Sequence, residues 1–259
     1  MSSAAARVIA FALLVWPTGQ TSAMASEVQF FCSFETSPTD CGFVEQAKVY
    51  GRATLVNIAR HGKKGVLLHT EPGDSHVNGS RMRERNDLAL SQTATDCHEG
   101  REQWWAHSIL FPNDFVVPQS GVVANFHHSG STGQANFQIR VKATTVLSFE
   151  GAGGLTVATN SRSPGRYHAS IGPLVRNRWY DFVYHVKWSS ESDGFMYAWV
   201  NGVPKLAHRG PTLYAGQGCY FKLANYHTAS GPSSIIHDRV IRGTSARAVS
   251  LTPLQGMLH

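Results

Sequence analysis

After its first 25 residues the chain shows almost no helical periodicity. Short apolar or alternating runs follow one another, and Gly, Pro, Asn and Ser interrupt them. This pattern is typical of an all-β sandwich, in which a strand buries one face. The runs that predict strands are Gln29–Phe34, Gly65–Thr70, Arg83–Ser91, Gln103–Phe111, Val122–His128, Asn136–Lys142, Val146–Glu150, Trp179–Trp188, Phe195–Val200, Cys219–His227 and Ile235–Ile241.

No internal repeat, charge block or Pro/Ser-rich linker divides the 259 residues. A chain of this length suits one large all-β domain. We predict a single domain of two packed antiparallel sheets over residues 26–259. Asn201-Gly202 predicts a tight hairpin turn, because this pair accepts the positive φ angles of a type I′ turn. The Gly-, Ser- and Arg-rich segment Gly151–Gly165 is interpreted as a loop over a sheet edge or groove.

The N-terminus has the pattern of a signal peptide over residues 1–25. Arg7 precedes the apolar run Val8–Trp16, and Ala23-Met24-Ala25 offers a small-x-small cleavage site. The apolar run is shorter than the roughly 20 residues that span a bilayer. We therefore expect a secreted or periplasmic protein without a membrane partner.

Four cysteines follow the predicted cleavage site, an even number that suits an oxidising compartment. Three pairings are possible. Cys32–Cys41 is the local choice, and it leaves Cys97–Cys219 to join distant strands. The absence of a C-x-x-C pair from the sequence disfavours a zinc site.

The formal charge of +6, in a chain with only 15% charged residues, indicates an anionic partner. Export disfavours nucleic acid, which leaves an anionic polysaccharide. Hydrolysis of a glycosidic bond normally needs two carboxylates at a defined separation. The acidic residues here are few and scattered, and the best lone candidates, Glu150 and Asp181, are interpreted as structural. A glycosidase is therefore disfavoured.

Strand alternation predicts which side chains share a face, since residues i and i+2 point the same way. Phe137, Ile139 and Val141 would form a core face of their strand. The polar side chains expected on the opposite faces of the strands are Arg83, Arg85, Asp87, Asn125, His127, Gln138, Arg140, Lys142, Tyr220, Lys222 and Tyr226. The sequence thus predicts one cationic, polar sheet face.

Such a face suits cleavage of a uronic acid polymer by β-elimination. In this reaction the proton at C5 is removed and the O4 leaving group departs. An amide or guanidinium beside the uronate carboxylate stabilises the enolate-like charge that develops. A base takes the proton and an acid protonates the leaving oxygen, roles that His and Tyr fit. A nearby Lys favours the phenolate form of the Tyr.

Three motifs resemble those of the jelly-roll polysaccharide lyases, which include alginate, glucuronan and heparin lyases. Along the chain the Arg motif comes first, the His motif second and the Lys/Tyr motif last, which is also the order in that family. Tyr220-Phe221-Lys222-Leu223-Ala224-Asn225-Tyr226 is similar to their Tyr-Phe-Lys-x-x-x-Tyr strand. Asn125-Phe126-His127 is similar to their Gln-x-His strand, and Arg85-Asn86-Asp87-Leu88 to their Arg-x-Glu-Leu strand. The resemblance spans roughly Gly65 to Gly243. It implies a concanavalin A-like jelly roll and a lyase, with glucuronan favoured as substrate. We expect the protein to be a monomer.

The same resemblance implies roles for individual residues. His127 would be the base and Tyr226 the acid, or Tyr226 would serve as both. Asn125 and Arg85 would neutralise the uronate carboxylate, and Lys222 would support Tyr226 or bind substrate. Further substrate contacts are expected from Arg83, Gln138, Arg140, Lys142 and Tyr220. Alternation favours His127 over His128, because His127 shares the face of Asn125.

Two positions depart from the family pattern: Asn125 stands for a usual Gln, and Asp87 for a usual Glu. Both suggest altered substrate geometry. We expect no cofactor. A structural calcium ion is left open, although the sequence has no Asp-rich loop of the kind that binds calcium. The alternative function is a non-catalytic, lectin-like glycan-binding sandwich.

Overall fold

The computed structural model describes residues 27–75, 83–130, 134–142, 146–151, 167–228, 231–252 and 254–256. The predicted signal peptide, residues 1–25, lies outside the described residues, as does most of the predicted loop Gly151–Gly165. In the part of the chain that is described, no helix is long and apolar enough to cross a membrane.

Strands account for most of the described structure. In chain order they are β1 (Val28–Cys32), β2 (Val44–Ala47), β3 (Ala53–Val56), β4 (Gly65–Thr70), β5 (Arg83–Ala89), β6 (Glu102–Leu110), β7 (Ser120–His128), β8 (Phe137–Lys142), β9 (Val146–Gly151), β10 (Tyr167–Pro173), β11 (Trp179–Lys187), β12 (Phe195–Val200), β13 (Val203–Arg209), β14 (Cys219–Thr228) and β15 (Ser233–Gly243). Two four-residue helices, α1 (Gln92–Thr95) and α2 (Ala246–Val249), and a 3-10 turn over Asp40–Gly42 complete the described elements.

The strands form two antiparallel sheets that pack as a sandwich. The eight-stranded sheet has the order β13-β12-β11-β6-β15-β4-β3, with β1 also paired to β15. The seven-stranded sheet has the order β10-β9-β8-β7-β14-β5-β2. The predicted all-β, two-sheet fold is confirmed.

The core lies between the two sheets and is rich in aromatic side chains. Phe137, Ile139 and Val141 are all buried there, as strand alternation predicted. The ring of Phe126, on β7, lies 5.0 Å from Phe221 of the neighbouring strand and 5.0 Å from Trp188 across the core. Each aromatic side chain of this kind buries about 150–250 Å². Their burial fixes the apolar sides of β7, β8 and β14, so the polar sides face outward.

The hairpin and the disulfides agree with the sequence. Val200 pairs with Val203, and Asn201 and Gly202 have φ angles of 51° and 78°, as a type I′ turn requires. The disulfides are Cys32–Cys41, the local pairing, and Cys97–Cys219, which joins residues 122 apart at the start of β14.

Four strands, β2, β3, β10 and β13, were missing from the prediction. Each lies at an edge of its sheet. An edge strand pairs on one side only and buries less of its surface, so its sequence carries a weaker apolar signal. The Pro at position 204 of β13 is also typical of an edge strand.

Candidate active site

Four adjacent strands of the seven-stranded sheet bring the polar side chains together. β14 lies between β5 and β7, and β8 lies on the far side of β7. Tyr226 is directly opposite Arg85, and Lys222 is directly opposite Asn125. Asn125 in turn pairs with Gln138. Residues far apart in the sequence therefore stand in rows across the sheet.

These rows line a groove of ≈ 320 Å³ on the face away from the core. Its lining residues are Arg83, Arg85, Asp87, Val122, Asn125, His127, Gln134, Ala135, Gln138, Arg140, Lys222 and Tyr226. All five residues expected to be catalytic and three of the five expected substrate contacts are among them. Most of the lining is polar, and four of its members carry positive charge.

His127 is held in one tautomer. Its Nδ1 lies 3.0 Å from the main-chain oxygen of His128. A carbonyl oxygen only accepts, so Nδ1 donates, and Nε2 of the neutral ring keeps its lone pair for the groove. Burial, together with the nearby positive charge of Lys222, lowers the pKa of His127 to about 4. The imidazole is therefore neutral at neutral pH, as a general base must be.

Arg85 and Lys222 share one carboxylate beneath the groove. The Nε atom of Arg85 donates to Oδ2 of Asp87 at 2.7 Å, and Nζ of Lys222 lies 3.6 Å from the same oxygen. Burial lowers the pKa of Lys222 to about 8, against the attraction of Asp87, which raises it. Both cations are thus present at neutral pH, next to a single negative charge.

The two tyrosines of β14 contact different cations. The guanidinium carbons of Arg83 and Arg85 lie 5.4 and 5.3 Å from the ring centre of Tyr226. Lys222 lies 5.2 Å from the ring centre of Tyr220 instead. Tyr220 is outside the groove lining, but its ring is 5.4 Å from that of His127. Arginines, not the lysine, therefore supply the cation contacts of the Tyr226 ring.

Amide groups occupy the centre of the groove. Asn125 and Gln138 are both mostly buried. Oδ1 of Asn125 is enclosed by protein and has no hydrogen-bond partner among the residues that the structure describes. Beyond them on β8, an NH2 group of Arg140 donates to the hydroxyl of Ser120 on β7.

Three other residues named from the sequence lie elsewhere. Lys142 is exposed at the end of β8, opposite Ser120, and is outside the groove lining. His128 is on the buried side of β7, with its ring 5.4 Å from that of Tyr214. Asp181 belongs to the eight-stranded sheet, where it accepts hydrogen bonds from Arg60 and Ser108.

The structure adds one residue that holds Arg85 and three residues of the groove lining that the sequence did not indicate. Gln46, on the edge strand β2, accepts a hydrogen bond from Arg85 at 3.3 Å through Oε1. Gln134, Ala135 and Val122 complete the lining. Gln46 was missed because the sequence predicted neither β2 nor its pairing with β5. Gln134 and Ala135 lie in the segment before β8, where no periodic sequence pattern predicts which side chains face the groove.

Among the residues that the structure describes, the groove lining has a single carboxylate, whereas hydrolysis normally needs two. Asp87 is the only carboxylate among its described lining residues, and it is committed to Arg85 and Lys222. Over the described part of the chain, no group of three or more His, Cys, Asp or Glu side chains could hold a metal ion.

Fold and groove together define a class: a jelly-roll sandwich with a cationic cleft that combines a neutral imidazole with a phenol. The profile of the family described as polysaccharide lyase matches residues 40–241. The chain belongs to this family and is an enzyme, a polysaccharide lyase, as the sequence motifs predicted.

Solved structures share the fold at low sequence identity. The endo-β-1,4-glucuronan lyase from the fungus Trichoderma reesei has a TM-score of 0.66 at 16% identity, over 86% of this chain and 98% of that one. The alginate lyase vAL-1 from a Chlorella virus has a TM-score of 0.51 at 9% identity, over 74% and 90%. Comparison with the curated proteins gives no match.

Proposed function

We propose that this lyase cleaves a glucuronan-like polymer by β-elimination and leaves an unsaturated uronate at the new end. The observation that carries the proposal is the neutral His127, whose Nε2 is the free nitrogen of the ring, in a groove with four cations. A base that is unprotonated near neutral pH and a wall that attracts carboxylates are two of the requirements of this reaction, and the third is an acid for the leaving oxygen.

The proposed reaction starts with the uronate carboxylate against Arg85 and Asn125. Charge-assisted hydrogen bonds from the guanidinium and the amide stabilise the negative charge that spreads onto the carboxylate. The Nε2 atom of His127 takes the proton from C5. The electron pair forms the C4=C5 double bond, and the bond between C4 and O4 breaks.

Tyr226 then completes the elimination by giving its phenolic proton to the departing O4. The phenolate regains a proton from water, and the imidazolium of His127 loses one. Arg85 and Lys222 supply the positive charge within the protein, so the proposed steps use no metal or cofactor.

A glucuronate polymer is favoured by two considerations. The fold is shared with a glucuronan lyase over 98% of that chain. Few positive side chains line the groove apart from those proposed to bind the uronate carboxylates. A sulfated polymer would need more of them to bind its sulfate groups. We further propose that residues 26–259 are exported as one lyase domain, in keeping with the two disulfides, which form in oxidising compartments.

Arg140 is proposed to contact the neighbouring sugar rather than the one that reacts. It lies on β8, two strands from Tyr226 on β14, a separation of about 10 Å. Arg140→Gln should therefore raise KM several-fold while kcat stays near that of the wild type, as for lost ground-state binding. A fall in kcat with KM unchanged would place Arg140 at the reacting centre instead.

A substrate panel tests the proposal. Glucuronan, alginate, heparin, hyaluronan and pectate are each mixed with the protein, and the ultraviolet absorbance of unsaturated ends is followed. Glucuronan should give the fastest rise. Binding without any rise across the panel would contradict the proposal and favour the lectin-like alternative.

Variants of the proposed base and acid test the mechanism. His127→Ala and Tyr226→Phe should each lower kcat at least about 100-fold, the scale of acid–base catalysis, and leave binding of the polymer largely intact. Tyr50→Phe and His98→Ala, at exposed positions outside the groove lining, are the matched controls. Near-normal turnover in His127→Ala or Tyr226→Phe would contradict the assignment.

A further inference from the structure

Asp87 is a buried carboxylate in a groove proposed to bind an anionic polymer. It is the residue on β5 that pairs with Ala224 on one side and Gln46 on the other. Its side chain is only 2% exposed, and that of Lys222 is also 2% exposed. An acid at this position repels the substrate carboxylate, so its presence calls for a role other than direct binding.

The two oxygens of Asp87 show that it acts through its neighbours. Oδ2 contacts Arg85 at 2.7 Å and Lys222 at 3.6 Å. Oδ1 is enclosed by protein and lacks a hydrogen-bond partner within the described ranges. With Oδ1 enclosed and Oδ2 in contact with two cations, the carboxylate acts through Arg85 and Lys222.

Each cation in turn contacts a tyrosine at the groove. Arg85 is held between Asp87 and Gln46, with its guanidinium 5.3 Å from the ring centre of Tyr226. Lys222 lies 5.2 Å from the ring centre of Tyr220, which contacts the ring of His127. The Asp87 carboxylate therefore contacts one cation that lies beside the proposed acid, Tyr226. It also contacts a second cation, whose tyrosine neighbour lies beside the proposed base, His127.

We propose that Asp87 is a positioning residue, whose carboxylate holds Arg85 and Lys222 together as a fixed pair of cations for the uronate carboxylate. This inference rests on the proposed function, because it assigns the pair to a uronate. Without the carboxylate, two neighbouring cations repel each other, and a buried ammonium without a counter-ion is costly. Loss of Asp87 should thus move Arg85 and favour the neutral form of Lys222.

The environment of Lys222 gives this role a measurable signature. The charged or titratable groups that line the groove with Lys222 are Arg83, Arg85 and Asp87 on β5, His127 on β7, Arg140 on β8 and Tyr226 on its own strand. Tyr220, outside the groove lining, contacts Lys222 through its ring. Among them, Asp87 is the negative charge that raises the pKa of Lys222, which burial lowers to about 8. Its removal must lower that pKa further, since Arg85 acts in the opposite direction.

The test compares Asp87→Asn, which removes the charge, with Asp87→Glu, which keeps it. Both kcat and kcat/KM are measured against pH on glucuronan. Glu102→Gln is the control, because it removes one negative charge at a half-exposed position of the eight-stranded sheet. If Asp87→Asn does not fold, Asp87→Ser removes the carboxylate with a smaller side chain and takes its place.

We expect Asp87→Asn to lower kcat/KM at pH 7 by about 10- to 100-fold, the cost of misplaced catalytic groups. The alkaline limb of its pH profile should also lie at a lower pH than that of the wild type. Asp87→Glu should keep the wild-type alkaline limb, whatever its rate, and Glu102→Gln should match the wild type throughout. A slower Asp87→Asn enzyme with an unmoved alkaline limb would show a merely structural role and overturn the inference.

A second measurement does not depend on turnover. The titration of Lys222 is followed by NMR in lysine-labelled protein, with its signal assigned by its loss in Lys222→Arg. The signal should titrate at lower pH in Asp87→Asn than in the wild type, and equal titration would contradict the inference. A wild type that titrates as expected but cleaves no uronate polymer would refute the proposed function instead.

Discussion

At the scale of single residues, the groove keeps a base neutral and cations charged in the same small space. His127 is neutral because burial, together with the positive charges of Lys222 and Arg85, lowers its pKa to about 4. Lys222 stays charged up to a pKa of about 8 because Asp87 partly offsets its burial. The groove therefore has both groups in working form only between these two values.

This difference predicts a bell-shaped dependence of kcat/KM on pH, with limbs near pH 4 and pH 8. Lys222→Gln should move the acidic limb to higher pH, because it removes a positive charge that lowers the pKa of His127. Lys63→Gln, at an exposed position outside the groove lining, should leave that limb in place. An acidic limb that is the same in Lys222→Gln and the wild type would show that His127 is not the titrating group.

At the scale of strands, alternation predicted most of the groove and failed where the pairing is irregular. Arg85, Lys222 and Tyr226 were predicted to point away from the core, and they line the groove. On β7 the register shifts between Val122 and Ala124, so Val122 lines the groove while Val123 packs in the core. Strict alternation from Asn125 would place Val123, and not Val122, on the groove side.

The sequence also could not reveal how the polar side chains partner one another. That Asp87 bridges Arg85 and Lys222, and that Gln46 holds Arg85, depends on which strands are neighbours. The motifs predicted the members of the site because each motif lies on one strand. Pairing between β2, β5 and β14 is a long-range property that no local pattern encodes.

The disulfide that starts β14 should matter more to stability than the local one. Cys97 and Cys219 are 122 residues apart, and Cys32 and Cys41 are 9 apart. Loop-closure entropy predicts losses of about 5 kcal/mol for Cys97→Ala/Cys219→Ala and about 3 kcal/mol for Cys32→Ala/Cys41→Ala. Urea unfolding of the two double variants measures the difference, and equal losses would contradict this ranking.

At the scale of the whole molecule, the polar groups buried between the sheets should make the fold sensitive to acid. His107 and His237 are fully buried, and burial lowers both pKa values, that of His237 to about 3. The unfolded chain, with histidine pKa values near 6.5, binds more protons below that pH, so stability falls as the pH falls. Asp238 acts in the opposite sense, because burial raises its pKa to about 6.

His237 removes about 2 kcal/mol of unfolding free energy between pH 7 and pH 5, His107 acts in the same direction, and Asp238 returns about 1 kcal/mol. We expect a net fall in the unfolding free energy from pH 7 to pH 5, measured by urea unfolding at the two pH values. His98→Ala, at an exposed position, should leave the difference unchanged. An unfolding free energy that is the same at pH 5 and pH 7 would contradict this account.

The central claim is that this polysaccharide lyase cleaves by elimination, with His127 and Tyr226 at the reacting bond. The most direct test is to count two kinds of chain end after wild-type protein acts on glucuronan: new reducing ends, and unsaturated uronate ends seen by ultraviolet absorbance. Elimination predicts that the two numbers rise together, one unsaturated end for each bond cut, and that both stop in His127→Ala. Reducing ends that appear without unsaturation would show hydrolysis and contradict the account.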